Sequence, residues 1–230
     1  MSWDQIVHKH YPGALTCSQA VDENIKFLED ELGGDRTKTL LAKSRCADDL
    51  VSTRKTFSEY LSDPFQLGGL AGFPFTGRTG MTAYSHHIPD GGTAFILYGP
   101  HIGVTADGDI GKVLRPGQSR CTTACGALVG AVGVLETGNS LESSNDDFQL
   151  PQIVKMLTPS RDRILDADSP IKEATQVSYE IIQDQVDQII DATIKEFSCK
   201  RILLLGSIRI NTDAGFEDYM TIESRKHIDL

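Results

Sequence analysis

The sequence predicts an α/β fold in which helices flank one central, mostly parallel β-sheet. Two apolar runs, "TAFILYG" and "RILLLGSIRIN", are continuous enough to form strands in the middle of a sheet. Residues 169–197 begin with Ser169 and Pro170, which favour a helix start, and then repeat apolar side chains at helical spacing. Strands alternate with helices along the chain, a pattern typical of a single central sheet.

The remaining elements are predicted in chain order as one α/β domain over residues 1–230. Residues 18–32 have helical periodicity and stop at two glycines, within an N-terminal helical segment of about residues 1–35. Residues 37–45 read as a strand, 47–62 as a helix, and 101–115 as two short strands joined by an Asp-Gly turn. Residues 121–136 and 148–158 are predicted to be helical.

Composition excludes several classes of function. The chain has 230 residues with 22 basic and 32 acidic side chains, a net charge of −10, which disfavours binding to nucleic acid. No apolar run approaches ~18 residues, so no membrane insertion is expected. The first residues lack the apolar core of a signal peptide, and we expect a soluble, intracellular protein. Five cysteines, an odd and sparse number, indicate thiols kept for packing or metal binding in a reducing compartment.

The segment "GFPFTGRT", residues 72–79, nearly matches a phosphate-binding loop. Pro74 removes one of the backbone N–H donors that such a loop needs, and Arg78 replaces its lysine. We therefore interpret the segment as a glycine turn that brings Arg78 close to a pocket, and not as a nucleotide site.

Three residues at the ends of predicted elements form a candidate metal site: Cys46, His101 and Cys125. In a parallel sheet the carboxyl ends of the strands meet at one edge, so these side chains can converge there. Thiolate and imidazole are ligands that Zn²⁺ prefers. A single cysteine is more often a small buried hydrophobic residue. Cys121 and Cys125, four residues apart, leave open a thiol or redox enzyme.

The zinc layout of β-type carbonic anhydrases is similar to this spacing, in which His101 follows Cys46 by 55 residues (101 − 46). A closer resemblance lies in the run "GGLAGFPFTGRTGMTAYSHHIPDGGTAFILYGPHIGVTADGDIGKVLRPGQS", in "TTACGAL" and in "LLLGSIRINTDAGFEDYM". These segments resemble the limiting-CO2-inducible B/C protein family, which includes the theta-class carbonic anhydrases. The resemblance implies zinc held by Cys46, His101 and Cys125, a β-carbonic-anhydrase-like sheet, a homodimer, and a role in inorganic carbon handling, frequently in algal plastids.

By the same resemblance, Asp48 is the carboxylate beside the metal. Two features depart from ordinary β-type enzymes. The second cysteine there lies three residues after the histidine, whereas here the separation is 24 (125 − 101), and the arginine expected two residues after the aspartate is Leu50. The arginine that pairs with Asp48 must therefore come from elsewhere, with Arg78 favoured over Arg54.

The predicted function is hydration of CO2 to bicarbonate, for which zinc supplies hydroxide by lowering the pKa of water to ~7. His86 and His87 are candidate proton relays because an unperturbed histidine titrates near ~6.5. Phe73, Phe75 and Tyr84 are candidates for an apolar wall around the gas, or are core aromatics. The main alternative is a catalytically silent homologue that keeps fold and metal and acts as a partner-binding or bicarbonate-sensing subunit.

Overall fold

The computed structural model describes residues 1–52, 57–61 and 63–230. The strands are β1 (Leu15–Thr16), β2 (Thr39–Ser44), β3 (Phe65–Gln66), β4 (Thr93–Tyr98), β5 (His101–Gly103), β6 (Lys112–Val113), β7 (Thr122–Thr123), β8 (Arg201–Asn211) and β9 (Tyr219–Asp229). In the described part of the chain, seven of them form one sheet in the order β1-β9-β8-β4-β2-β3, with β5 also paired to β8. Strands β2, β3, β4, β5 and β8 are mutually parallel, while β9 is antiparallel to β8 and β1.

Helices cover both faces of this sheet. They are α1 (Trp3–His10), α2 (Cys17–Lys26), α3 (Asp49–Ser52), α4 (Gly77–Ser85), α5 (Gly126–Thr137), α6 (Gln149–Leu157), α7 (Arg161–Leu165) and α8 (Pro170–Thr193). Side chains alternate across each strand, so Ile96 and Leu204 join the larger core under α4 to α8. Phe95 and Leu203 point the other way and pack with α2. The predicted α/β class with a mostly parallel sheet is confirmed.

Several predicted elements are present with small changes of boundary. The strand at residues 37–45 is β2, and the long helix starts at Pro170 with Ser169 as its N-cap residue. The predicted helix over residues 47–62 is described only in part, as α3 and a 3₁₀ turn at Phe57–Glu59. The predicted N-terminal helical segment includes α1, whereas the sequence predicts no element at β1, β3, α4, α7 or β9.

The segment at residues 101–115 differs from the expected simple hairpin. A turn is present, closed by an isolated bridge between Val104 and Ile110. However, β5 pairs with β8 in the main sheet, and β6 pairs with β7 in a separate antiparallel ribbon. This ribbon is called the β6–β7 hairpin below. Its strands lie between His101 and Cys125 in the chain, so the hairpin is held beside both candidate ligands.

No helix in the described ranges combines the length and apolar character needed to cross a bilayer.

Candidate metal centre

Three sequence-distant residues meet at the carboxyl edge of the sheet. Cys46 follows β2, His101 begins β5, and Cys125 is the N-cap residue of α5. All three are buried, and one potential ligand atom from each lies within 4.8 Å of the others. The two Sγ atoms are 3.7 Å apart. The structure thus brings together the cluster predicted from sequence.

The donor atoms of this cluster suit a soft divalent cation. His101 Nε2 is buried and has no hydrogen-bond partner among the described residues, which is costly unless another group binds it. The opposite ring nitrogen, Nδ1, is 2.7 Å from Asn211 Oδ1. Two thiols and one free imidazole nitrogen match the ligand types of zinc sites. The residues therefore fit the zinc ion that the sequence analysis predicts.

The neighbours of Cys46 lower the pKa of its thiol. The hydrogen bond from Cys125 lowers the pKa of the Cys46 thiol well below its usual range, despite burial, and His101 acts in the same direction. Ala71 donates its backbone N–H to Cys46 Sγ at 3.2 Å. Burial alone would lower the pKa of His101, but the negative charge of Cys46 beside the ring, the bond to Asn211 and the charge of Asp48 together raise that pKa. These contacts therefore favour the thiolate form of Cys46 over the neutral thiol.

A tight turn at Ala71 and Gly72 leads into the segment, residues 72–79, that resembled a phosphate-binding loop. Ala71 adopts φ +54°, a left-handed conformation rare for a residue with a side chain, and Gly72 follows with φ +87°. This turn aims the N–H of Ala71 at Cys46. The donor to the sulfur atom is thus Ala71, immediately before the segment, and Gly72 is the residue of the segment that takes part in the turn.

Asp48 lies beside the cluster and is bonded to Arg115, whereas the sequence favoured Arg78 as its partner. Arg115 Nη1 and Nη2 donate to the two carboxylate oxygens of Asp48, each at 2.9 Å. Burial opposes the charge on Asp48, but the bond from Arg115 overcomes it and depresses the pKa of that carboxyl. Asp48 Oδ2 is also 3.9 Å from His101 Nε2, so the carboxylate faces the space next to the ligands.

The β6–β7 hairpin holds Arg115 in position. Its Nε donates to Thr122 Oγ1 at 3.2 Å and its Nη2 to the Thr123 carbonyl at 3.2 Å. Arg115 also contacts the carboxylate of Asp49. The segment of 23 residues between His101 and Cys125 thus returns an arginine to Asp48. A signal in the sequence was available: an insertion between two converging ligands must fold close to them.

The buried side chain of Arg45 donates hydrogen bonds to backbone carbonyls at the same edge of the sheet. Its Nη1 donates to the carbonyls of Gly99, Pro100 and Ser207 at 3.2, 3.2 and 2.9 Å. These carbonyls lie in the turn that precedes His101 and in β8. Arg45 therefore ties the residue before Cys46 to the segment that positions His101, a role with no signature in the sequence.

The other predicted catalytic residues are not brought to the cluster. Arg78 is exposed on α4 and lines a surface cavity of about 360 Å³ with Phe75, Gln152 and Met156, so the expected Arg78–Asp48 pair is replaced by Arg115–Asp48. Arg54 lies outside the described residues. His87 follows α4 and packs edge-on against Phe65 with ring centroids 5.6 Å apart.

The position of His87 follows from the direction of α4. The helix starts near the Cys46 turn and runs back toward the amino ends of β2 and β4, so His86 and His87 lie at the opposite edge of the sheet. Tyr84 bonds to the carbonyl of Leu40, near the start of β2, and is a core residue. Within this chain, the candidate proton relays His86 and His87 therefore lie away from the cluster. Tyr84, a candidate for the apolar wall around the gas, lies away from it as well.

Comparison with known proteins identifies the family. The family model described as limiting CO2-inducible proteins B/C beta carbonic anhydrases matches residues 14–229. The chain belongs to this family. It is also similar to the crystal structure of PtLCIB4, a homologue of the limiting CO2-inducible protein LCIB, with 31% identity, TM-score 0.91, and coverage of 98% of this chain and 95% of the other.

A second family structure extends the comparison at the level of the fold. The crystal structure of limiting CO2-inducible protein LCIB covers 100% of this chain and 99% of its own, with TM-score 0.70 and 17% identity. No curated protein matches the sequence. Membership of the family and its fold are therefore shown, and the resemblance stated from the sequence is confirmed.

Proposed function

We propose that the protein is a zinc-dependent carbonic anhydrase that catalyses the reversible hydration of CO2 to bicarbonate. The observation that carries the proposal is the buried Cys46–His101–Cys125 cluster with the Asp48–Arg115 pair beside it. The three clustered residues would hold Zn²⁺. When bound, zinc supplies hydroxide at neutral pH by making water more acidic.

Asp48 has the central protein role in this proposal. Its Oδ2 faces the cluster and would accept a hydrogen bond from the water or hydroxide that reacts there, which would orient that oxygen toward CO2. Arg115 keeps Asp48 ionised and fixes its plane through two parallel bonds. Since Asp48 is already paired with a cation, it does not serve as the proton acceptor. The proton that is released with each bicarbonate must therefore be transferred to buffer molecules in solution.

The family supports the rest of the proposal. We propose that the whole chain acts as one α/β zinc-binding domain, that it forms a homodimer, and that it works in inorganic carbon handling with CO2 and bicarbonate as its ligands. The family model is described as one of β carbonic anhydrases, which agrees with this reaction. Sedimentation of the purified protein would test the dimer.

The decisive experiment combines metal analysis with stopped-flow CO2 hydration on the purified protein. We expect one zinc per chain, hydration well above the buffer rate, and loss of activity with zinc retained in Asp48→Ala. Asp147→Ala, which removes an exposed carboxylate from the loop before α6, is the control and should match the wild type. Zinc without hydration would contradict the enzyme and support the silent homologue; undiminished activity of Asp48→Ala would contradict the role of that residue.

A further inference from the structure

A buried polar chain extends from the candidate metal ligand His101 into the sheet. His101 Nδ1 is 2.7 Å from Asn211 Oδ1, and Asn211 Nδ2 donates to Asp218 Oδ2 at 2.8 Å. Arg209 Nε donates to the same oxygen of Asp218 at 3.0 Å. The side chains of these four residues are at most 2% exposed. Polar groups buried this deeply are retained only when their hydrogen bonds are satisfied.

The direction of each hydrogen bond between His101, Asn211 and Asp218 follows from the charge of Asp218. Its carboxylate faces Arg209 in an ion pair at 2.9 Å and also accepts the N–H of Thr212 at 3.0 Å. An ionised carboxylate only accepts hydrogen bonds, so the amide nitrogen of Asn211 must point toward Asp218. Its oxygen, which also only accepts, then points toward His101, and the proton of the imidazole must sit on Nδ1.

This arrangement leaves His101 Nε2 as the nitrogen with a free lone pair. Nε2 is the atom that faces Cys46, Cys125 and Asp48 and has no partner among the described residues. If the amide of Asn211 were reversed, its NH2 group would force the proton onto Nε2 and block a metal ion there. The orientation of one amide therefore decides which face of the imidazole can bind a cation.

We propose that Asn211 and Asp218 are positioning residues that fix the tautomer and ring orientation of His101 for metal binding through Nε2. The proposal deepens the proposed function and rests on it for the identity of the metal. The positions of the two residues suit the role. Asn211 is the last residue of β8 and is in register with Gly103 of β5, two residues after His101, while Asp218 precedes β9.

The first test needs no variant and no metal. Long-range ¹H–¹⁵N NMR on the zinc-free protein should show Nδ1 of His101 as a protonated nitrogen with a slowly exchanging proton. Because Asn211 accepts from Nδ1 in both the neutral and the charged ring, this result does not depend on the charge of the imidazole. A His101 ring protonated on Nε2 alone would overturn the proposal.

The second test measures affinity for Zn²⁺ by competition with a chromophoric chelator. Asn211→Ala should weaken binding about 10–100-fold, the usual effect of losing a residue that orients a ligand. Asn24→Ala removes another buried asparagine, which donates to the Ala20 carbonyl in α2, and should leave affinity unchanged.

The outcomes separate the two proposals. Equal zinc affinity in the wild type and Asn211→Ala would overturn the positioning role while leaving the zinc site intact. A wild-type protein that shows the Nδ1 proton but binds no zinc would contradict the proposed function and support the tautomer assignment. If Asn211→Ala fails to fold, the NMR experiment on the wild type decides the question alone.

Discussion

Leu50 occupies the position where ordinary β-type carbonic anhydrases have the arginine that pairs with the aspartate. In this chain Leu50 is buried and forms a small apolar cluster with Val113 and Ala124. Val113 lies on the β6–β7 hairpin two residues before Arg115, and Ala124 precedes Cys125. Leu50 thus contributes to anchoring the hairpin that supplies the arginine. The leucine at position 50 and the longer separation of His101 and Cys125 are therefore linked, because the added residues form the hairpin that supplies the arginine and Leu50 packs against it.

The geometry of the Asp48–Arg115 pair can be tested by replacing the arginine. Arg115→Lys keeps the positive charge but loses the planar fork that contacts both oxygens of Asp48. We expect kcat/KM for CO2 hydration to fall about 10–100-fold, corresponding to ~1.5–3 kcal/mol for a hydrogen bond to a charged group. Zinc content should be unchanged, since Arg115 is not a ligand.

The matched control is Arg120→Lys, because Arg120 is exposed at the tip of the same hairpin. It should retain the wild-type rate in the stopped-flow assay. Full activity of Arg115→Lys, or an equal loss in both variants, would show that the fork geometry of Arg115 is irrelevant.

The turns at the ends of strands are the elements that bring the ligands together. Gly99 connects β4 to His101 at φ +127°, and a Cβ atom there would lie 2.1 Å from the carbonyl oxygen of Ser207 in β8. That close approach allows Arg45 to bond to the carbonyls of Gly99 and Ser207 at once. The absence of a side chain at Gly99 is therefore required for the register of His101 against β8.

Gly99→Ala tests this steric requirement, with Gly91→Ala as the control. Gly91 also has a positive φ, +64°, but a Cβ there meets nothing within 4 Å. We expect Gly91→Ala to lower the free energy of unfolding by about 1–2 kcal/mol through backbone conformation alone. Gly99→Ala should cost about 1–3 kcal/mol more, because of overpacking. Urea denaturation measures both, and coincident transitions would contradict the steric argument.

The sequence predicted the strand ends better than the links between them. Continuous apolar runs identified β4 and β8. The positions of Cys46 and His101 after strands, which a parallel sheet gathers at one edge, indicated the cluster together with the family resemblance, and the resemblance added Cys125. Arg115 was missed because its contact with Asp48 depends on the path of the β6–β7 hairpin, which carries no periodic signal. Strand β9 was missed because most of its residues are polar or half-exposed, as at a sheet position with weak burial.

The cluster joins three parts of the fold that are distant in sequence. Cys46 follows a central strand, His101 starts β5, and Cys125 leads into α5, which packs under the larger core. The ligands span residues 46 to 125 and are adjacent only in the folded chain. A metal ion that binds all three therefore binds the native state in preference to the unfolded chain, and metal binding adds to stability.

This linkage predicts a rise in thermal stability on adding zinc to the metal-free protein. At free zinc 1,000-fold above Kd the native state gains about 4 kcal/mol. For a chain of this size, that corresponds to a rise in Tm of about 8–16 °C. Cys125→Ser should lose most of the shift, whereas Cys199→Ser should keep it, because Cys199 bonds to the Arg201 carbonyl away from the cluster. Differential scanning calorimetry with and without zinc distinguishes these cases: equal shifts in the wild type and Cys125→Ser would mean that the cation binds elsewhere.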